Sequence, residues 1–277
     1  QQESDELDKD IKSLKDDGFD ITLQLLDHHI TGKSSAAKYD WYFLDDKRCA
    51  TKIVFDYLLK EFKAPLNDYK EWVDTVNAVD IWLENEKKNF EFGKVLMSMV
   101  TKAREINSIL FNSLDRDFKF YLLKNSIGFL SLKDAPIVLD NSVHFLKKEF
   151  LKDGFDDTLD NLSASYLVKS LDKIKDDLTI YYNGQKGLMT YCLGAISIPA
   201  NSFLRANSDY DFFIDISRKG NASFRADGKL DVSQLASKLA NGGGHVNASG
   251  CKFDDFIDTI NLQEVRAYIQ NKLNNLK

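Results

Sequence analysis

The sequence predicts an α/β protein in two parts: a parallel-sheet domain over residues 1–130 and a smaller α+β domain over 179–277, joined by a helical connector over 131–178. Three observations predict this. Residues 21–26, ITLQLL, form a mostly aliphatic run of strand length that ends abruptly in the polar Asp27-His28-His29. Apolar residues at helical spacing dominate the middle of the chain. Beyond residue 178 the pattern turns to short β-branched or aromatic runs bounded by glycine, LTIYYNG, GLMTYCLG, DFFIDISRKG and ASFRADG.

Taken in order, Ser4 is placed to cap a helix over 6–15, which leads through Gly18 into the strand at 21–26. A helix feeding a strand is the middle of a βαβ unit, so the sequence reads as beginning after an earlier strand. CATKIVFDYLLKEF puts Ile53, Val54, Tyr57 and Leu58 on one helical face, and Pro65 opens a further helix ending near Asp80. Residues 89–130 carry aromatic and aliphatic side chains at helical spacing, and 155–178 reads as a helix running into a charged linker. In the second domain, helices are expected near 197–207 and 232–240, the latter with Asp231 and Gln234 spaced as a capping box.

Composition narrows the function classes. The 277 residues are 43% hydrophobic and 29% charged, enough apolar material for two cores. No apolar run approaches the ~20 residues a membrane-spanning helix needs. The acidic start, QQESDELDKD, is not a secretory signal. Cys49, Cys192 and Cys251 lie far apart, which fits a reducing cytoplasmic setting. A net charge of −6 argues against coating long duplex DNA.

Three constellations can carry chemistry. In LLDHHITG, imidazole and carboxylate groups end the predicted strand, where α/β sheets build their sites. The GKSS that follows is no phosphate loop, because Asp27 stands where that loop needs its first glycine. In NGGGHVNASG, one glycine is expected to cap the preceding helix; Gly242, Gly243 and Gly244 also open backbone N–H groups to an anion, and His245 adds a donor. A flexible turn is the plainer alternative. Among Arg205, Arg218, Lys219 and Arg225, a solvated face suits each singly; Arg225, in SFR near the glycine-histidine loop, stands apart as a phosphate ligand. Asp80, flanked by Val79, Ile81 and Trp82, is either a paired or metal-bound acid or an ordinary helix-end aspartate.

Together these residues resemble the DHH phosphoesterase superfamily, in the subgroup with a C-terminal DHH-associated (DHHA1) domain. LLDHHITG matches the motif that names it, and SFRAD…DVSQLASKLANGGGHVNASG matches the second domain's Ser-x-Arg, helix, Gly-Gly-Gly-His pattern in the right order. The resemblance implies a nano-RNase-like phosphodiesterase that uses two Mn²⁺ ions, with Mg²⁺ or Co²⁺ as alternatives. It implies His28 and Asp80 as metal ligands, Asp27 and His29 as catalytic residues, and Arg225, Gly242, Gly243, Gly244 and His245 as substrate-binding residues. The superfamily's earlier motifs, a histidine with two aspartates and a further aspartate at a strand end, are not found before Asp27. The expected function is hydrolysis of short oligoribonucleotides or cyclic or linear dinucleotides. The expected partners are short RNA or a dinucleotide and a second copy of the chain as a homodimer, with no membrane and no long duplex. The rivals are a phosphomonoesterase or pyrophosphatase acting on a small nucleotide, and a non-catalytic nucleotide-binding regulator.

Overall fold

The computed structural model describes residues 2–276, and these divide into two compact units. The first comprises Gln1–Lys102 with Leu123–Ser142, the second Ala103–Leu122 with Val143–Lys277. These limits differ from the boundaries at 130 and 178 read from the sequence. Hydrophobic periodicity marks helices but does not say which core each helix joins.

The first unit begins with α1 (Gln2–Asp16), β1 (Leu25–Asp27), a short α2 (Lys33–Ala36) and β2 (Tyr42–Leu44). It continues through α3 (Ala50–Phe62), α4 (Lys70–Asp80) and α5 (Lys87–Thr101). β1 and β2 are parallel, with Asp27 opposite Leu44. Three sequence expectations change here. Of the aliphatic run only Leu25 and Leu26 are strand, with Asp27 completing β1, and these three are half-buried to exposed, because β2 is their one ladder partner among the described residues. Ser4 lies inside α1. Val54 is exposed, and the buried side chains of α3 are Ile53 and Phe55. α4 does end at Asp80, but a 3₁₀ turn at Asn67–Tyr69 precedes it, so the helix starts later than Pro65 suggested. The core of this unit includes Val73, Ala78 and Val79 of α4 and Phe90, Phe92, Leu96 and Met99 of α5.

The helices α6 (Asn112–Ser126) and α7 (Ala135–Leu151) each give residues to both units. The second unit adds α8 (Leu159–Asp172), α9 (Lys175–Leu178), β3 (Thr179–Tyr182), β4 (Gln185–Tyr191), α10 (Ser197–Ala206), β5 (Phe212–Ile216) and β6 (Asn221–Ala226). It closes with α11 (Val232–Ala240), β7 (Gly243–His245), β8 (Ala248–Lys252) and α12 (Leu262–Asn274). Its six strands run in the order β3-β4-β5-β6-β8-β7, antiparallel except for the β4–β5 pair. The fold is thus mixed helix and strand, as the sequence predicts.

Side chains that alternate along these strands sort the sheet into two faces. Phe213 meets the Phe203 ring of α10, so α10 covers one face. Ser249 Oγ donates to the Val232 carbonyl at 2.6 Å, so α11 covers the other. Asp231 caps α11 by accepting from the Ser233 and Gln234 amides, as its spacing predicts. Residue 241 ends that helix in the left-handed conformation, and it is Asn241, φ 50°, not a glycine. The glycine expected to serve as the cap is therefore free of that duty. The β3 edge is closed by Gln270 of α12, which bonds both the amide and the carbonyl of Tyr181. Among the described residues no helix is long and apolar enough to cross a membrane.

Candidate functional site

Asp27 is the last residue of β1, and both its oxygens are occupied. Oδ1 accepts from the amides of His28 (2.7 Å) and His29 (3.1 Å) and faces His29 Nδ1 at 2.8 Å. Oδ2 accepts from the Tyr42 hydroxyl at 2.6 Å. Burial alone pushes the Asp27 carboxyl up, but the Tyr42 hydroxyl, the two amides and the His29 ring outweigh it and hold the group well below the carboxylate range. The same bond pushes the Tyr42 phenol up to about 12. Asp27 is thus a carboxylate acceptor at neutral pH. Its contact with His29 favours a proton on Nδ1 and leaves Nε2 free, on a ring that is 70% exposed.

His28 lies beneath, with only 17% of its side chain exposed, and its ring meets the His29 ring edge-on at 4.2 Å. Its Nδ1 is 3.6 Å from Asp80 Oδ2. That is too long for a hydrogen bond and close to the spacing of two donors on one cation. The pairing follows from helix placement. α3 packs on β1, and Asn77, one turn before Asp80, accepts from the Cys49 amide at the start of α3 at 2.8 Å. The apolar surroundings expected for Asp80 are not found: its side chain is 47% exposed at the helix end. Val79 turns into the core, while Asp80 points off it.

His28 and Asp80 are suitable donors to the implied metal, but among the described residues no group of three or more histidine, cysteine or acidic side chains is gathered to hold an ion. His28 and Asp80 supply two donors, which do not by themselves complete a site.

The second constellation is ordered by strand register. Arg225 on β6 stands opposite Ala248 on β8, and Ala248 stands opposite His245 on β7. Two residues along, Ser223, Gly250 and Gly243 form a parallel row. Cross-strand partners share a face, so Arg225 and His245 project from the face away from α11, with small residues between them. Arg225 donates from Nη2 to Ser197 Oγ at 2.8 Å and from Nη1 to the Phe224 carbonyl at 2.7 Å. Both partners are neutral, so the guanidinium charge is not cancelled by them. Arg218, by contrast, lies 3.3 Å from Asp258.

The three glycines differ in why they are glycine. A Cβ on Gly242 would strike the Gly250 carbonyl. Gly244 has φ 145°, and a Cβ there would lie 2.5 Å from the Ala248 carbonyl oxygen and 2.7 Å from Ser249 Cα. Gly243 meets nothing within 4 Å of where a Cβ would be, so packing does not require a glycine there. The sequence suggests a loop here, but the segment is a β-hairpin whose strands are too short and glycine-rich to be marked by composition.

Sequence reasoning missed Tyr42, Ser197 and Asp215. Asp215 is buried on β5 and accepts from Thr190 Oγ1 (2.9 Å) and the amides of Leu193 (3.0 Å) and Gly194 (3.1 Å), holding the turn before Ser197. Only the acid inside the apolar run FFIDI hinted at it. Tyr42 and Ser197 reach their partners through tertiary pairing and left no local signal.

No family model matches the chain. The chain is 42% identical over 260 residues to a 3′,5′-cyclic-nucleotide phosphodiesterase of Helicobacter pylori, spanning 92% of this chain and 74% of that protein. It is 24% identical over 248 residues to the oligoribonuclease NrnB of Bacillus subtilis, spanning 84% of this chain and 53% of that one. The crystal structure of an uncharacterized protein from Helicobacter pylori G27 superposes with a TM-score of 0.81 at 41% identity, covering 99% of this chain and 80% of that one.

Proposed function

The chain belongs to the family of the Helicobacter pylori 3′,5′-cyclic-nucleotide phosphodiesterase, and on that premise we propose that it is a DHH-type phosphodiesterase acting on short oligoribonucleotides or on cyclic or linear dinucleotides. The observation that carries the reading is the row Arg225–Ala248–His245. It offers one uncancelled guanidinium and one exposed imidazole on the same sheet face, over a floor without bulky side chains. A guanidinium binds phosphate through two parallel hydrogen bonds, and the open backbone at Gly243 lets a ligand approach closely. The identity to NrnB supports the oligonucleotide substrate.

In the first unit His29 acts on the phosphate. Asp27 keeps the proton on His29 Nδ1, so Nε2 accepts a proton or, once protonated, donates to a phosphoryl oxygen. Asp27 orients and does not itself meet the substrate. In the second unit Arg225 and His245 hold phosphate and offset charge that develops on it.

Metal dependence is part of the proposal. His28 and Asp80 would be donors to a divalent cation, Mn²⁺ by the resemblance. Bound there, such an ion would supply polarisation of a phosphoryl oxygen and acidification of water. Calorimetric titration of Mn²⁺ into the wild type and His28→Ala tests this directly; equal affinity in both removes His28 as a ligand.

A second reading, hydrolysis of 3′,5′-cyclic mononucleotides, is favoured by the higher identity to the Helicobacter protein. One substrate panel separates the readings: a short RNA, a cyclic dinucleotide, 3′,5′-cyclic AMP, a 3′-phosphorylated nucleotide and pyrophosphate, with products resolved by chromatography. Cleavage of the RNA or dinucleotide to 5′-mononucleotides is expected. Release of phosphate from the last two alone would replace the reading with a phosphomonoesterase or pyrophosphatase.

A further inference from the structure

The Asp27–His29 pair is held by more than its own loop. Asp27 Oδ1 has three donors, all from the next two residues. Its Oδ2 has one, the hydroxyl of Tyr42, which comes from the neighbouring strand. With only the local bonds, the carboxylate plane could turn about the Oδ1 cluster. The bond to Oδ2 from a second element fixes that plane, and with it the direction of His29 Nε2. Beside this bond stands Gly32, at the end of the short turn after His29. A Cβ there would lie 2.8 Å from Asp27 Oδ2 and would strike the Tyr42 hydroxyl. Gly32 has φ −74°, a conformation open to any residue, so backbone geometry does not demand glycine. The space taken by the Tyr42–Asp27 bond does.

We propose that Tyr42 and Gly32 are positioning residues for the Asp27–His29 pair: Tyr42 anchors the free carboxylate oxygen, and Gly32 leaves the room in which that anchor sits. The effect on turnover rests on the phosphodiesterase reading above; the effect on the imidazole does not. Neither residue touches substrate. Both act through Asp27 on the tautomer and aim of His29.

The test uses the full chain and reads the two levels separately. Nitrogen-15 correlation spectra of the histidine rings at mildly alkaline pH assign the tautomer, with the His29 signal identified by its loss in His29→Gln. The wild type is expected to show His29 protonated on Nδ1. In Tyr42→Phe, which keeps the ring and loses only the hydroxyl, the Nε2-protonated form is expected to appear. On the best substrate from the panel, turnover is expected to fall about tenfold with KM changed less than about twofold. Gly32→Ala should do the same or more. It should do less in the Tyr42→Phe background, where the hydroxyl it strikes most closely is gone although Asp27 Oδ2 still lies 2.8 Å from the added Cβ. An unchanged His29 tautomer in Tyr42→Phe, or equal effects of Gly32→Ala in both backgrounds, overturns the proposal. A shifted tautomer in a protein that cleaves no substrate leaves it standing and overturns the functional reading instead.

Discussion

The two constellations are built by different means. In the first unit, Asp27 ends a strand with one neighbour among the described residues, His28 and His29 follow it, and side-chain hydrogen bonds hold the group in place. In the second, Arg225 and His245 sit in a six-stranded sheet, and main-chain register sets their spacing. A site held by side chains should fail when one oxygen is removed. A site held by register should tolerate that and fail when the backbone is disturbed.

The largest expected effect falls in the first constellation. On the proposed reading, His28→Ala lowers turnover by about a hundredfold or more, with far-ultraviolet circular dichroism unchanged because the residue follows the end of β1, outside the core. Near-normal turnover at saturating Mn²⁺ would remove the role. Next comes the backbone of the hairpin. Gly244→Ala is expected to destabilise the second unit by about 2–3 kcal/mol, since it combines a left-handed φ with a close carbonyl. Gly243→Ala, one residue away, should leave the denaturation midpoint almost unmoved and weaken substrate binding. Equal losses of stability at the two positions would refute the distinction.

Arg225→Ala should weaken binding of a phosphate-bearing substrate by about 2 kcal/mol, the range for one charge-assisted contact, and leave metal content as in the wild type. Loss of metal on this change would place Arg225 in the wrong constellation. The smallest effect concerns Asp215. Burial pushes its carboxyl up, against three hydrogen bonds that pull it down. A carboxyl whose folded pKa is raised binds protons more tightly in the folded state, so its contribution favours folding most at low pH. That contribution declines as pH rises from the ordinary value of 3.8 through the raised folded one. The stability of the wild type minus that of Asp215→Asn should therefore fall across that window in urea titrations, and a rise would contradict the burial argument.

Much of both constellations was legible before any coordinates. Asp27, His28 and His29 at the end of an aliphatic run, and Arg225 ahead of the glycine-histidine segment, were singled out by residue type and spacing. Those are local properties, and local order follows them: β1 ends at Asp27, α4 at Asp80, and Asp231 caps α11. The length of the first strand was misread, because a strand persists only where a partner satisfies its amides, and composition does not reveal the partner.

The residues proposed to carry the chemistry stand in short motifs that residue type alone marks: a carboxylate beside imidazoles, an arginine within a strand, glycines in a row. Which groups act on one another was decided by tertiary structure alone. Tyr42 meets Asp27 because two strands pair in parallel, and His28 nears Asp80 because α3 lies on β1 and carries the end of α4 with it. Arg225 and His245 share a face because the register of three strands makes Ala248 their common partner. Hydrogen bonds and steric contacts act over a few ångströms in space, and nothing in residue order alone specifies which distant segments are brought within that range.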